Sequence, residues 1–257
     1  MGALLQTTAV NKQFGGLSAV TDLNISINAG EIVGLIGPNG AGKTTSFNLI
    51  TGVYVPTSGT VTFAGEDITG MKPHRIARLG VARTFQNIRL FREMSVLENV
   101  LAGLHCRMKS GILSSMFRTP SQRKEERAAV ERAMRELAFV SLDCQYNNLA
   151  RNLSYGNQRL LEIARALASD PRLVILDEPA GGMNDQETAA LVDTIAAIRD
   201  RGITVLLIEH DMRLVMKICE KLVVLEHGTM IAQGEPEAVR RNPAVVEAYL
   251  GVEDEKW

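Results

Sequence analysis

The apolar residues of this chain recur with two different periods, and the change between them divides it. From Ser18 to Ile27 and from Glu31 to Ile36, β-branched and aliphatic residues crowd as they do in strands, and Asn28, Ala29 and Gly30 between them have turn chemistry. Another strand is predicted over Thr60 to Phe63, after the breaker VPTSG. Beyond it the period lengthens. Ser95 with Glu98 three residues later forms a capping-box signature, opening a helix that should run to about Leu104. Thr119 and Pro120 open the next one, because proline is tolerated at the first helical position, and Val130, Met134 and Leu137 give it an apolar stripe. Residues 90–168 therefore read as mostly helical. After Pro171 strands return in LVIL (173–176) and ITVLLI (203–208), on either side of the helical run ETAALVDTIAAIRD (187–200). Strand, helix, strand predicts a parallel sheet covered by helices.

Composition narrows this picture. The 257 residues suffice for a substantial core, and 46% hydrophobic with 22% charged residues is the balance of an ordinary globular protein, one unit or one with a subdomain. A formal charge of −1 gives no field to draw the chain onto nucleic acid or an anionic membrane. Cys106, Cys144 and Cys219 are far apart and lack metal-ligand spacing, so they read as reduced, buried thiols. The start MGALLQTTAVNKQF has neither a basic region with a long apolar core nor a myristoylation pattern, so no export signal or lipid anchor is expected. No apolar run approaches the roughly 20 residues that a membrane-spanning helix needs.

The chemistry begins where an apolar strand runs into Gly37, Pro38, Asn39, Gly40, Ala41, Gly42, Lys43 and Thr44. This is G-x-x-x-x-G-K-[ST] in its required setting, before the helical stretch from Thr45 to Ile50. Glycines let the backbone fold until its N–H groups converge on phosphate oxygens, with the positive end of a helix dipole behind them. Lys43 should lie along the β- and γ-phosphates of ATP, and Thr44 should ligate Mg²⁺. Downstream, LVILDEP (173–179) puts Asp177 and Glu178 at the carboxyl edge of the sheet, where open α/β folds hold ligands. Asp177 would bind Mg²⁺ through its water shell, and Glu178 would polarise the water that attacks the γ-phosphate. A second glycine-bearing stretch, LSYGNQ (153–158), reads as a loop opening into the helical run RLLEIARALA (159–168).

The P-loop, LSYGNQ, LVILDEP and LLIEHDM, in that order, resemble the ATPase subunits of ATP-binding cassette (ABC) transporters, from about residue 4 to residue 252. The resemblance implies an α/β P-loop NTPase with a RecA-like parallel-sheet core, an antiparallel β subdomain near the N-terminus and an inserted helical subdomain. The core would take about residues 4–88 and 170–252, and the helical insertion about 89–169. It also implies that two cassettes close head to tail, each lending its signature loop to the ATP held by the other. Ser154, Tyr155, Gly156 and Gln158 would touch the neighbour's nucleotide. Tyr155 and Asn157 depart from the usual LSGGQ, and a tyrosine in a glycine's place cannot take φ > 0 without strain.

Carried over residue by residue, His210 matches the switch histidine that steadies Glu178, and Gln86 in RTFQNIRLF matches the loop glutamine joining Mg²⁺ and water to the helical subdomain. Phe14 matches the aromatic that stacks on adenine, or else is a core phenylalanine. Asn184, at the end of GGMN, matches the loop that crosses the dimer interface, or else caps a helix with Glu187. Together with the Gly37 to Thr45 cradle, these residues complete the candidate site.

FGGLSAV, RTFQNIRLFREMSVLENV, LSYGNQRLLEIARAL and IEHDM further resemble the ATP-binding subunit of branched-chain amino acid importers, stretches that shade into importers for other amino acids, ureas and amides. The resemblance implies a second cassette, itself or a paralogue, two integral membrane permease subunits, an extracytoplasmic solute-binding protein, and a place on the cytoplasmic face of the inner membrane. Nucleic acid is not expected, since there is no basic face, coiled-coil insertion or tandem cassette. A kinase would leave LSYGNQ and His210 without a role, and a regulatory ATPase stays open. Within residues 105–127, Ile112, Leu113, Met116 and Phe117, flanked by Arg107, Lys109 and Arg118, form either a short amphipathic element facing the permease or a cap on the helical subdomain.

Overall fold

A computed structural model describes residues 2–104 and 120–250 of the chain. Leu5–Phe14 (β1) lies at the centre of an antiparallel sheet with Leu17–Leu23 (β2), Ser26–Ile27 (β3), Ser58–Phe63 (β5) and Glu66–Asp67 (β6). The second sheet carries the chemistry. Its order is β11-β10-β4-β9-β8-β7: Thr229–Gly234, Lys221–Glu226, Ile32–Ile36, Thr204–Ile208, Leu173–Asp177 and Val81–Arg83. Every pairing from β10 to β7 is parallel, and only β11 runs against its neighbour. The antiparallel subdomain and the parallel core both match the expectation from sequence.

Burial explains why β4, β8 and β9 lack polar alternation: all five residues of each are buried, because both faces of the sheet are covered. On one face lie the antiparallel sheet and Lys43–Ile50 (α1), around Phe47 and Phe63. On the other lie Asp185–Asp200 (α6) and Met212–Ile218 (α7), through Leu191, Ile195 and Val215. Each fully buried side chain of this kind stabilises the fold by about 1.5–3 kcal/mol, and truncating Phe47 to alanine would cost about 3–5 kcal/mol.

A third apolar cluster belongs to Val96–Leu104 (α3), Pro120–Phe139 (α4) and Tyr155–Ala168 (α5). The capping box at α3 forms as expected: Ser95 N donates to Glu98 Oε2 at 2.7 Å, and Glu98 N returns to Ser95 Oγ at 3.2 Å. The chain closes with Pro73–Leu79 (α2) over the β7 edge, and with Pro236–Arg240 (α8) and Pro243–Leu250 (α9) beside β10 and β11.

Four expectations need correction. The strand from Ser18 to Ile27 is two strands, because Asp22 turns into the left-handed region (φ 48°) and Thr7 Oγ1 takes the Ile25 N–H at 2.8 Å out of the ladder. On α4 Val130 is exposed, whereas Leu137 is buried and Met134 packs on the same cluster as expected, with Ala133 buried beside them. LSYGNQ is a loop only as far as Ser154. The helix starts at Tyr155, in helical backbone with no positive φ, so the anticipated strain is absent. Cys144 is exposed, whereas Cys219 is buried and burial pushes its thiol up to about 12. Cys106 and the 105–119 part of the insertion, with Arg107, Lys109, Ile112, Leu113, Met116, Phe117 and Arg118, lie outside the described residues.

Candidate functional site

Strand order assembles the site. β4, β9, β8 and β7 are neighbours and parallel, so their carboxyl ends share one edge. The P-loop leaves β4 there, His210 follows β9, Asp177 and Glu178 end β8, and Gln86 follows β7. Ile208 is the register mark common to three of these ends: it pairs with Leu35 on one side and with Asp177 on the other.

The P-loop is a backbone construction. Gly37, Gly40 and Gly42 have φ of 148°, 81° and 97°. At Gly37 an added Cβ would lie 2.1 Å from the Leu225 carbonyl oxygen, so glycine is required there. Gly42 N-caps α1 without any side-chain hydrogen bond, which leaves the first amides of the helix for an anion. Lys43 is buried, and its Nζ donates to the carbonyls of Gly37 and Pro38, the latter at 3.0 Å. Its charge is thereby held over the loop that carries it.

Around the loop opens a cleft of about 490 Å³ whose walls include Asn39 to Thr45, Gln86 and Glu178. Sequence reasoning missed part of its rim. Ser18 and Ala19 from β2, with His227 and Gly228 from the β10–β11 turn, also line it. Gly228 N donates to Ala41 O at 3.0 Å and Thr21 N donates to Gly228 O at 2.8 Å, tying three separate segments into one wall. The pairing of β10 with β4 brings this turn beside the P-loop, and no local motif signals it.

Glu178 stands at the mouth in a left-handed conformation (φ 45°), its N–H fixed by Ile208 O at 2.8 Å. Non-glycine residues in that region cost about 1–3 kcal/mol and collect at functional sites. Gln86 Nε2 donates to Glu178 Oε2 at 2.8 Å, and His210 Nδ1 lies 3.9 Å from Oε1. The three therefore stand near one another, although His210 is half exposed and lines a neighbouring cleft beside Gly182, Asp185 and Arg213. Two further residues hold this arrangement. Buried Glu209 accepts from Ala180 N at 2.9 Å and His210 N at 3.2 Å, clamping the segment after β8 to the one after β9. Arg83 stacks between Phe47 and Phe85 and faces Asp177.

Asp177 is buried, and burial raises its carboxyl above the usual aspartate range; the Arg83 charge opposes this most, Glu178 adds to it, and Arg159 and Lys43 oppose it further. An anion desolvated to that degree fits a site that expects a cation. The Thr44 hydroxyl, the Gln86 amide and the Asp177 carboxylate are the hard oxygen donors that Mg²⁺ prefers. Among the described residues no group of three or more His, Cys, Asp or Glu side chains is placed to hold a metal ion.

The other predicted residues fall apart from this cleft. Phe14 is not in the core: it is 43% exposed, edge-on to Tyr54 at 5.1 Å between centroids, with Lys12 Nζ 4.9 Å above its ring. An exposed aromatic face is what adenine stacking requires. Ser154 caps α5 by accepting from Asn157 N at 3.3 Å, and Gln158 Nε2 donates back to Leu153 O at 3.0 Å. Ser154 and Tyr155 are exposed, whereas Gly156 is buried. A Cβ on Gly156 would sit 2.6 Å from Glu187 Oε1. Asn184 makes a full capping box with Glu187 at the start of α6, so the cap alternative is realised. No helix of the described residues is long and apolar enough to cross a membrane.

Comparison with known proteins gives concordant results. The family model described as "ABC transporter" matches residues 20–181, and one described as "Branched-chain amino acid ATP-binding cassette transporter" matches residues 229–255. The chain is 48% identical to the high-affinity branched-chain amino acid transport ATP-binding proteins BraF of Pseudomonas aeruginosa and LivG of Escherichia coli, over 96% of this chain and 98% of each relative. Among solved structures, the ADP conformation of an ATP-binding cassette of an ABC transporter superposes with a TM-score of 0.86, at 36% identity, over 98% of this chain and 100% of that one.

Proposed function

The chain belongs to the ABC transporter ATP-binding family and is an ATPase of that type, and from that premise we propose that it drives an importer of branched-chain amino acids. It would act on the cytoplasmic face of the membrane, paired with a second cassette and seated on two permease subunits that receive solute from an extracytoplasmic binding protein. Residues 4–88 and 170–252 would be the nucleotide-binding core, and 89–169 the helical insertion.

The observation that carries the hydrolytic reading is the Gln86 amide bonded at 2.8 Å to the carboxylate of Glu178, a residue of left-handed backbone at the mouth of the P-loop cleft. In this reading Phe14 stacks on adenine, the amides of Asn39 to Thr45 cradle the phosphates, and the Lys43 ammonium turns from the Gly37 and Pro38 carbonyls toward them. Thr44, Gln86 and Asp177 would hold Mg²⁺, which when bound neutralises charge on the β- and γ-phosphates. Glu178 orients water and accepts its proton at Oε1, the oxygen that the Gln86 amide leaves open, while His210 keeps the carboxylate in place. Ser154, Tyr155, Gly156, Gln158 and Asn184 serve the nucleotide of the neighbouring cassette. Closure then depends on a charge shared between two chains, and cleavage weakens the contact.

In cells lacking the chain, uptake of labelled leucine should return with the wild-type sequence and fail with Glu178→Gln. Full leucine uptake with Glu178→Gln would contradict the reading.

A further inference from the structure

The segment after β7, from Phe85 to Arg89, is held at both ends by one side of α5. Arg159 Nη1 donates to Phe85 O at 2.6 Å, and its Nη2 donates to Gln86 O. One turn on, Glu162 Oε1 accepts from Arg89 N at 3.3 Å, and Arg165 Nη1 donates to Arg89 O at 2.5 Å. Arg159, Glu162 and Arg165 are spaced three apart, so they share a side of the helix and pair with one another, at 3.5 and 3.6 Å. Arg159 and Glu162 are 3% and 1% exposed. Burying an arginine and a glutamate is costly unless their hydrogen bonds are met; here the backbone of a loop meets those of Arg159 Nη1 and Nη2 and of Glu162 Oε1, while Arg159 Nε and Glu162 Oε2 have no hydrogen-bond partner among the described residues. That loop carries Gln86.

Arg159 is also tied to the first residue of its own helix. Its Nη2 donates to Tyr155 Oη at 3.2 Å, and its guanidinium lies 5.6 Å from the centre of the Tyr155 ring. Tyr155 in turn packs on the segment after β8, where a Cβ on Gly182 would meet Tyr155 Cε1 at 3.1 Å. The tyrosine that stands where LSGGQ has glycine thus joins the start of α5 to the arginine gripping Gln86.

We infer that Arg159 and Tyr155 are positioning residues that lock Gln86, and through it Glu178, to the N-terminus of α5, so that engagement of that helix start by the neighbour's nucleotide sets the hydrolytic carboxylate of the same chain. This rests on the proposed roles of Glu178 and the α5 start. Any displacement of the helix start is transmitted by Arg159 to the carbonyls on both sides of the Gln86 N–Cα–C unit, and from the Gln86 amide to Glu178 Oε2. Lysine cannot reproduce this: it has no rigid fork to reach two carbonyls and a phenol together.

The test compares Arg159→Met, Arg159→Lys and Tyr155→Phe for steady-state ATP hydrolysis, and for ADP affinity by fluorescent-nucleotide displacement, on the full chain. Arg159→Met should lose about tenfold in kcat with ADP affinity held within about twofold, Arg159→Lys should recover part of that loss, and Tyr155→Phe should lose about threefold. Equal losses in kcat and ADP affinity, or full kcat in Arg159→Met, would overturn the inference. Should Arg159→Met fail to fold, Tyr155→Phe decides, because it deletes only a hydroxyl: wild-type kcat refutes the link, and reduced kcat with intact ADP affinity supports it. Glu178→Gln assayed alongside separates the layers. Normal turnover there removes the hydrolytic reading itself, whereas inactive Glu178→Gln with fully active Arg159→Met removes only the positioning claim.

Discussion

In the proposed reading the chain offers two helix starts to phosphate, and they are built in opposite ways. At α1 the backbone forms the site: left-handed Gly42 caps the helix, no side chain intervenes, and the lysine is buried against its own loop. At α5 side chains form the site: a serine hydroxyl caps the helix, an exposed tyrosine follows, and an arginine below ties the tyrosine to the loop of Gln86. The first start lies in a cleft and the second lies at the surface. The difference teaches how the labour is divided. A backbone cradle binds phosphate within one chain, while a side-chain-capped start tied to a loop can report contact with something outside it.

Variants should separate the two. Glu178→Gln, on the carboxylate where the two regions meet, should lower hydrolysis about a thousandfold while ATP stays bound, as phosphate release and nucleotide retention would record. Lys43→Ala should weaken ATP binding about a hundredfold in a fluorescent-nucleotide titration, because a charge-assisted contact to phosphate is lost. The same titration should be unmoved by changes at α5, and an equal loss in both regions would erase the distinction.

Acid should act on the α1 side through Asp177. Burial, the main cause, raises Asp177, so its proton returns at a higher pH than an ordinary aspartate's. Below that raised pKa the neutral acid no longer attracts a cation, and above it the carboxylate is available. Apparent Mg²⁺ affinity in the presence of ATP should therefore fall by about tenfold per pH unit on the acid side, starting above the normal aspartate range. A midpoint at or below that range would show that Asp177 is not desolvated. Ser154→Ala should cost turnover several-fold and about 1 kcal/mol of stability in urea unfolding, with ADP affinity intact. The smallest effect belongs to Asn184→Ala, about 1 kcal/mol from the lost capping box of α6, read in the same unfolding experiment.

The backbone region was the more legible of the two. Gly37 to Thr44 is contiguous, its chemistry follows from glycine and one lysine, and the strand and helix around it are written in the hydrophobic period. Asp177 and Glu178 are likewise contiguous at a strand end. What stayed hidden is whatever depends on strand order. That β9 lies between β4 and β8, setting His210 near Glu178, and that the turn at His227 and Gly228 closes the cleft, follow from pairings between segments remote in sequence. The side-chain region misled for another reason. Glycine and serine in LSYGNQ suggest a loop, but one cap bond from Ser154 lets the helix begin four residues before Arg159. The arginine that grips Gln86 carries no motif, because its partners are main-chain carbonyls, which leave no trace in sequence.

The central claim is that one nucleotide is shared between the cradle of one cassette and the helix start of another. The most direct measurement is photolabelling of the transporter complex, purified from cells with its native neighbours, by ATP carrying a photoreactive group on the terminal phosphate, followed by peptide mapping. The account predicts label both on the peptide spanning residues 37–45 and on the peptide containing Ser154, the latter disappearing when the cassettes are separated. Label confined to the 37–45 peptide, with none at Ser154 in the intact complex, would contradict it.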